Sequence, residues 1–445
     1  MMENNNKSSN KINLFWHRRD LRIIDNSGLF KALTSGNKIQ SVFIFDNNIL
    51  KLLTNKEDAR VTFIYRETAR LKAEYQSLGA DLLVLYGDPI ELIPKLALEF
   101  GAETVFTNRD YEPKAVKRDK RIYELLEENK IKFIGAKDHV IFEKEEITKG
   151  DGLPYTIYTP YANKWREKLK SQDYACIPTE NYYNQLLTPI SAQKMLSFEE
   201  IGFKENDKIQ FPSRLIPNEI LKNYHETRDL PYIKGTSKLS VHLRFGTISI
   251  RQLAQVAHAK NSVYLNELIW RDFYQMIMHH FPQSVNQAFK VKYERIEWEH
   301  NENHFNAWCE GKTGYPLVDA GMRELNTTGF MHNRVRMVVA SFLCKHLLLD
   351  WKWGAAYFAE KLLDYEEASN IGGWQWAAGC GCDAAPYFRV FNPTLQQQKF
   401  DPKMEYIKKW IPEFDTKDYP EPIIEHTFAR DRVINRYKTA LNEIS

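Results

Sequence analysis

Between residues 11 and 138, short apolar runs alternate with stretches of helical spacing, and no other feature of the chain restricts its fold as strongly. INLFW (12–16), IQSVFIFD (39–46), DLLVLYG (81–87), ETVFTN (103–108) and IKFIG (131–135) read as buried strands. The residues after Asn26, then 59–78, 89–100 and 114–130, have the spacing of helices, and Gly79 and Gly101 stand where C-terminal caps belong. Apolar strands separated by helices require a parallel sheet covered on both faces. The expectation is a doubly wound α/β domain over 11–138.

The first strand is followed by RRDLR (18–22), not by G-x-G-x-x-G, and no G-x-x-x-x-G-K occurs. The sheet therefore lacks the turns that cradle a dinucleotide or a triphosphate, although the carboxyl ends of its strands still offer a crevice. Residues 139–205 are rich in Tyr, Pro, Lys and Asn with weak periodicity, and read as a long connector with short helices. From 206 to 445 helical spacing dominates, so the second domain is expected to be all-α. Residues 1–10 form a polar leader expected to be disordered and unlike a secretory signal. No run approaches the 18 to 20 apolar residues of a membrane span. Five cysteines are an odd number for a disulfide framework, and none forms C-x-x-C, so a reducing, cytoplasmic location is expected. The chain is also expected to be a monomer without membrane association. Cys380-Gly-Cys382 has no second pair near it to complete a metal site, and reads as buried thiols.

The formal net charge is only +3, so a polyanionic partner would need local segregation of charge. Residues 228–251 carry five basic side chains and one acidic, and 325–349 carry no acid at all. Such blocks suit a phosphate-tracking face, and solvated helix faces explain them equally. Of ten Trp, only Trp16 and Trp165 precede residue 269. The other eight mark the C-terminal part as different in its work, or as a large aromatic core.

Four segments there could carry chemistry. In NELIWRDFYQ (266–275), Glu267 and Trp270 share a helical face, offering an acid beside an aromatic wall. Arg271, four after Glu267, can pair with it. In GFMHNRVRMVVASFL (329–343), Asn333 and Met337 share a face, Arg336 lies three from Asn333, and Arg334 points elsewhere. In LLDYEEASNIGGWQWAAG (362–379), Trp374 and Trp376 are two apart and face opposite ways on a helix. Asp364, Glu366 and Asn370 precede them, and could edge a flat heterocycle. In GTSKLSVHLRFGTIS (235–249), Thr236, Ser237 and Ser240 place hydroxyls and amides before a helix, as a pyrophosphate requires, or simply cap it.

Together these segments resemble the DNA photolyase/cryptochrome family of flavoproteins, most closely the class I cyclobutane pyrimidine dimer photolyases. The likeness runs from Asn13 to about Phe414, carried by LFWHRRDLRIIDN, GTSKLS, YLNELIWRDFY, TGFMHNRVRM and NIGGWQWAAGCGCDAAPYFRVFNP. The resemblance implies FAD in the helical domain and a second, antenna chromophore of folate or deazaflavin type at the α/β domain, with Glu112 at a folate-contacting position. Tyr224, Thr236, Ser237, Lys238, Leu239 and Ser240 would hold the phosphates and sugars of FAD. Asp364, Tyr365, Glu366 and Asn370 would lie along the isoalloxazine, with Arg336 paired to Asp364. The family pattern has Asp where this chain has Glu366, which leaves a backbone contact there.

Trp374, Trp351 and Trp298 would relay electrons, whereas Trp270 and Trp376 would wall the substrate pocket. Glu267, Asn333 and Met337 would contact the lesion, with Asn370 on the flavin side. Arg228, Arg271, Tyr274, Arg334 and Gln396 would meet UV-damaged DNA. Asn and Met at 333 and 337 match members that split cyclobutane dimers, whereas members acting on (6–4) photoproducts carry His at both. The implied reaction is light-driven electron transfer to a flipped-out dimer without net redox change. A cryptochrome-type blue-light receptor that signals to a partner, or repair of (6–4) photoproducts, is the alternative. Glu267 would stabilise the dimer's radical anion best when protonated. Burial against Trp270 would raise its pKa, and pairing with Arg271 would lower it.

Overall fold

The computed structural model describes residues 11–442; the polar leader lies outside them. The chain forms two compact units, and neither is a single stretch of sequence. The first comprises 11–141, 170–214 and 242–255, and the second 142–169, 215–241 and 256–442.

The first unit is built on a five-stranded parallel sheet of β1 (Ile12–His17), β2 (Lys38–Asp46), β3 (Leu82–Gly87), β4 (Thr104–Asn108) and β5 (Lys132–Ala136), in the order β3-β2-β1-β4-β5. Helices α1 (Ser27–Leu33), α2 (Ala59–Ser77), α3 (Pro89–Glu99) and α4 (Pro113–Glu128) connect the strands. The two-residue repeat sorts the side chains. Leu14, Trp16, Val42, Ile44 and Val105 enter one core cluster; Phe15, Phe43, Phe45, Val84 and Phe106 enter another. Each helix starts where a side chain caps it. Asn26 accepts from the amide of Leu29, Asp58 from Arg60 and Asp88 from Ile90. Only α4 starts without such a bond, at Glu112.

Strand order reverses between β1 and β4, and RRDLR fills the chain just beyond β1. Arg18 donates to Asp119 at 2.6 and 2.7 Å and to the carbonyl of Asn108, and its guanidinium lies 4.8 Å from the Trp16 ring. Where the sequence marks one connector over 139–205, the residues divide between the units. Residues 142–169 belong to the second, because helix α5 (Tyr158–Lys168) buries Tyr161 and Trp165 there.

The second unit is helical. The elements that carry the segments singled out above are α6 (Asn218–Thr227), α7 (Ser262–His280), α8 (Pro316–Thr328), α9 (Asn333–Ser341), α10 (Trp351–Lys361) and α11 (Glu367–Ala378). Between α9 and α10 the chain makes one π-helical turn, Phe342–His346. Its core contains Trp308, Trp351 and Trp374 with Leu343, Leu347 and Phe358. Among the described residues no helix is long and apolar enough to cross a membrane. Cys380 and Cys382 are buried free thiols, and burial pushes each up to about 12.

Candidate functional site

A closed circuit of ion pairs joins four segments of the second unit. Arg228, just after α6, pairs with Glu267 on α7. Its neighbour Asp229 accepts from Arg334 on α9 at 2.8 Å. One turn part-way along α9, Arg336 reaches Asp364 at 2.9 and 3.2 Å. Two residues on, Glu366 accepts from Arg271 at 3.0 Å, and Arg271 returns the circuit to α7. Four arginines face four carboxylates. Arg228, Arg334 and Arg336 of the two acid-poor segments are thus each paired with a carboxylate.

The circuit brings most of the candidate residues together. Trp270 lies between Glu267 and Arg271 on α7. One face of its indole is covered by Tyr158, with ring centroids 3.5 Å apart and planes within 2°. The Tyr158 hydroxyl donates to the Asn266 side chain at 2.6 Å, which fixes the stack. Tyr274, one turn on, packs against α11 at Gly372, where an added Cβ would lie 2.3 Å from its ring. Asn333 opens α9, capped by His332, whose Nδ1 accepts from the amide of Arg334 at 3.2 Å. Met337 follows one turn later, and its Sδ lies 3.7 Å from Nη1 of Arg334.

Glu267 does not pair with Arg271, the partner its helical spacing suggests. Arg228 takes it, because Arg271 is drawn across to Glu366. Burial raises the Glu267 carboxyl above its ordinary value, and the charge of Arg228 only partly offsets this. Glu366 is buried, with its second oxygen accepting from Ser369 at 2.8 Å. Its side chain is thus used inside the protein, while its backbone carbonyl accepts from the amide of Asn370 at 2.9 Å.

Beside the circuit lies a second set. Asn370 donates through Nδ2 to the carbonyl of Ala355 at 3.1 Å, which leaves its Oδ1 as the acceptor. Trp374 is buried edge-on to Phe358 at 5.0 Å, and its Nε1–H has no partner. Trp376, two residues away, is half-buried and lies 6.4 Å from Phe391. At the other end of α7, Tyr264 donates to Ser237 at 2.9 Å and meets Tyr224 edge-on at 4.9 Å. Lys238 adopts a left-handed backbone, φ 54°, which turns the chain into the short helix Ser240–Phe245. Thr236 and Leu239 lie on either side of that turn.

Not everything converges. Trp351 is buried at the start of α10, and Trp298 is half-buried against Tyr437 at 6.1 Å. Trp374 meets Trp308 directly, at 6.0 Å between centroids. Gln396 lies on the helix Pro393–Phe400, outside the circuit. Tyr365 sits between the two acids, half-buried. Glu112 belongs to the first unit, where Arg19 at 3.1 Å and Arg244 at 2.8 Å hold its carboxylate. Sequence reasoning missed Tyr158, which sits in a segment of weak periodicity, and Asp229, which passed as a lone acid in a basic run.

Two family models match the chain: DNA photolyase over residues 13–180 and the FAD binding domain of DNA photolyase over 264–417. The chain is 36% identical to a deoxyribodipyrimidine photo-lyase of Synechococcus, over 97% of this chain and 98% of that one. Its structure resembles a class III photolyase from Agrobacterium tumefaciens, with a TM-score of 0.86 and 30% identity over 99% of this chain and all of that one. It also resembles a Synechocystis cryptochrome, with a TM-score of 0.81 and 26% identity over 95% of this chain and 98% of that one.

Proposed function

The chain belongs to the DNA photolyase family, and we propose that this light-driven, FAD-dependent DNA repair enzyme acts on cyclobutane pyrimidine dimers. The ion-pair circuit carries the proposal, because it gathers Glu267, Trp270, Asn333, Met337 and the start of α11 around one site. Reduced FAD held there would supply light-driven single-electron donation to the lesion, with no net redox change.

The residues present fit that cofactor. A buried Trp374 N–H without a partner, an Asn370 oxygen left free to accept, the Ser237 hydroxyl held by Tyr264, and Tyr224 edge-on to Tyr264 line the segments that would hold it. Arg336 fixes Asp364 for the flavin edge, and Thr236 to Ser240 serve the phosphates. Trp374, Trp351 and Trp298 serve as the relay. A second chromophore binds the α/β unit, and we assign Glu112, oriented by Arg19 and Arg244, to its edge.

On the substrate side, Trp270, backed by Tyr158, stacks a base, and Trp376 forms the opposite wall. Glu267, raised toward its neutral form, donates to a pyrimidine carbonyl and so favours negative charge developing there. Arg228, Arg334 and Gln396 meet DNA phosphates. Asn333 and Met337 stand where enzymes of the (6–4) type carry His, which favours the cyclobutane lesion.

The test is illumination of the reduced holoprotein with two oligonucleotides, one carrying a thymine cyclobutane dimer and one a (6–4) photoproduct, analysed by chromatography. Restoration of the first alone is expected. Restoration of the second alone, or flavin photoreduction with neither lesion restored, would overturn the assignment, the latter in favour of a photoreceptor.

A further inference from the structure

The four arginines of the circuit are not equivalent. The side chains of Arg228, Arg334 and Arg336 are 25, 18 and 25% exposed, whereas Arg271 is 10% exposed and its partner Glu366 only 7%. A guanidinium that reads phosphate has to reach solvent. Arg271 is turned inward, onto an acid that is longer by one methylene than the Asp of the family pattern. Glu366 is also the N-terminal cap position of α11 and accepts from Ser369 one turn into that helix. Arg271 and Tyr274 form one stripe of α7, and Glu366, Ser369, Gly372 and Trp376 form the facing stripe of α11. The Arg271–Glu366 pair fastens the two stripes at one end, and Tyr274 against Gly372 fastens them one turn on. Trp270 is next to Arg271, and Trp376 follows Gly372 by one turn. The spacing of the two pocket walls is thus set by this contact.

The geometry points to Arg271 as a positioning residue that works through Glu366, rather than as a contact to DNA. The pair clamps α7 to α11 and holds Trp270 and Trp376 at the separation that admits a flipped-out pyrimidine dimer. This rests on the substrate reading given under Proposed function.

The experiment measures binding of the FAD-loaded protein to a thymine-dimer duplex by fluorescence anisotropy across a salt series. R271Q removes the cation, and E366D shortens the acid so that it no longer reaches. Both should weaken binding on the order of tenfold and leave the slope of log K against log salt unchanged. The double variant should bind no worse than the weaker single one, because both act on one contact. R228Q, by contrast, should make the slope shallower by about 0.9, the loss of one phosphate. A shallower slope in R271Q, additive losses in the double variant, or wild-type binding by E366D would each overturn the clamp.

Hydrogen exchange of the apoprotein gives a readout that needs neither FAD nor DNA. The amides of residues 367–376 should lose protection in R271Q and E366D alike, and unchanged protection in E366D would overturn the clamp. If R271Q does not fold, E366D and R271K carry the test, with R271K expected to restore part of the binding. If the wild-type protein shows no preference for dimer over undamaged duplex, the substrate reading fails, and hydrogen exchange alone decides the clamp.

Discussion

Glu267 shows how a single side chain's protonation follows from its neighbours. Desolvation raises its pKa, Arg228 opposes this, and the raised value means that the neutral acid persists to higher pH than in a free glutamate. Repair that depends on the neutral acid as donor should therefore decline as pH rises through that raised value. E267Q keeps an N–H donor without titrating, so its repair yield should be nearly flat over the same range. E267A removes the donor and leaves Arg228 with Asp229 at 3.8 Å, which should weaken binding of the damaged strand by ~1.5–3 kcal/mol, roughly tenfold to a hundredfold. Quantum yield against pH for the three proteins measures this, and a wild-type profile in E267Q would refute it. Much of this was legible beforehand, since Glu267 and Trp270 share a helical face in any amphipathic reading. The partner was not legible. Helical spacing offers Arg271, and only the tertiary approach of residue 228 to α7 and of Glu366 to Arg271 decides the exchange.

Elements carry their own consequences. Gly354 sits inside α10, where alanine is ordinarily better by about 1 kcal/mol. Here a Cβ would lie 2.0 Å from Cη2 of Trp374, a stiff ring buried on all sides. Overpacking of that kind costs about 1–3 kcal/mol or more, so G354A should be destabilising overall. It should also tilt Trp374 and slow flavin photoreduction, which transient absorption can follow. On α9 the cap is His332, whose burial lowers its pKa to about 4. The unfolded chain binds that proton near pH 6.5, so stability falls as pH drops from 6.5 toward 4, by roughly 3 kcal/mol for a shift of this size. H332N preserves a capping oxygen and removes the titration. Its acid unfolding midpoint should move to lower pH, though His346, lowered to about 3, keeps part of the acid sensitivity. The strands and the first helices could be read directly, because period-two burial and Asn or Asp caps are local signals. The role of His332 could not, since a histidine cap has no strong sequence signature.

At the scale of the whole molecule, the division of the chain was the least legible feature. Weak periodicity in 139–205 suggests a connector, yet a segment is assigned by what buries its aromatics. Trp165 donates to Asp272 of α7 at 3.0 Å, which draws 142–169 into the helical unit. In the same way, buried charge draws 242–255 into the α/β unit. Arg251 donates to Asp25 at 2.8 Å and to Asp138 at 2.9 Å, and Arg22 meets the other oxygen of Asp138 at 2.7 Å. Burial pushes the Asp138 carboxyl up, but the two guanidinium charges outweigh it and hold the group well below the usual carboxylate range. Its contribution is therefore complete above about pH 4 and is lost as pH falls further. R251Q would leave the buried Asp25 carboxylate with only the Ser249 hydroxyl and the Ile177 amide, and Asp138 with Arg22 as its one remaining guanidinium. Removing one partner from a buried network costs about 3–5 kcal/mol, because the remaining charge is neither solvated nor paired. The denaturant midpoint of R251Q should fall accordingly with its slope unchanged, and hydrogen exchange should place the loss in β1–β5. A shift under about 1 kcal/mol would mean that water replaces the guanidinium, and that residues 242–255 owe their place to apolar packing alone.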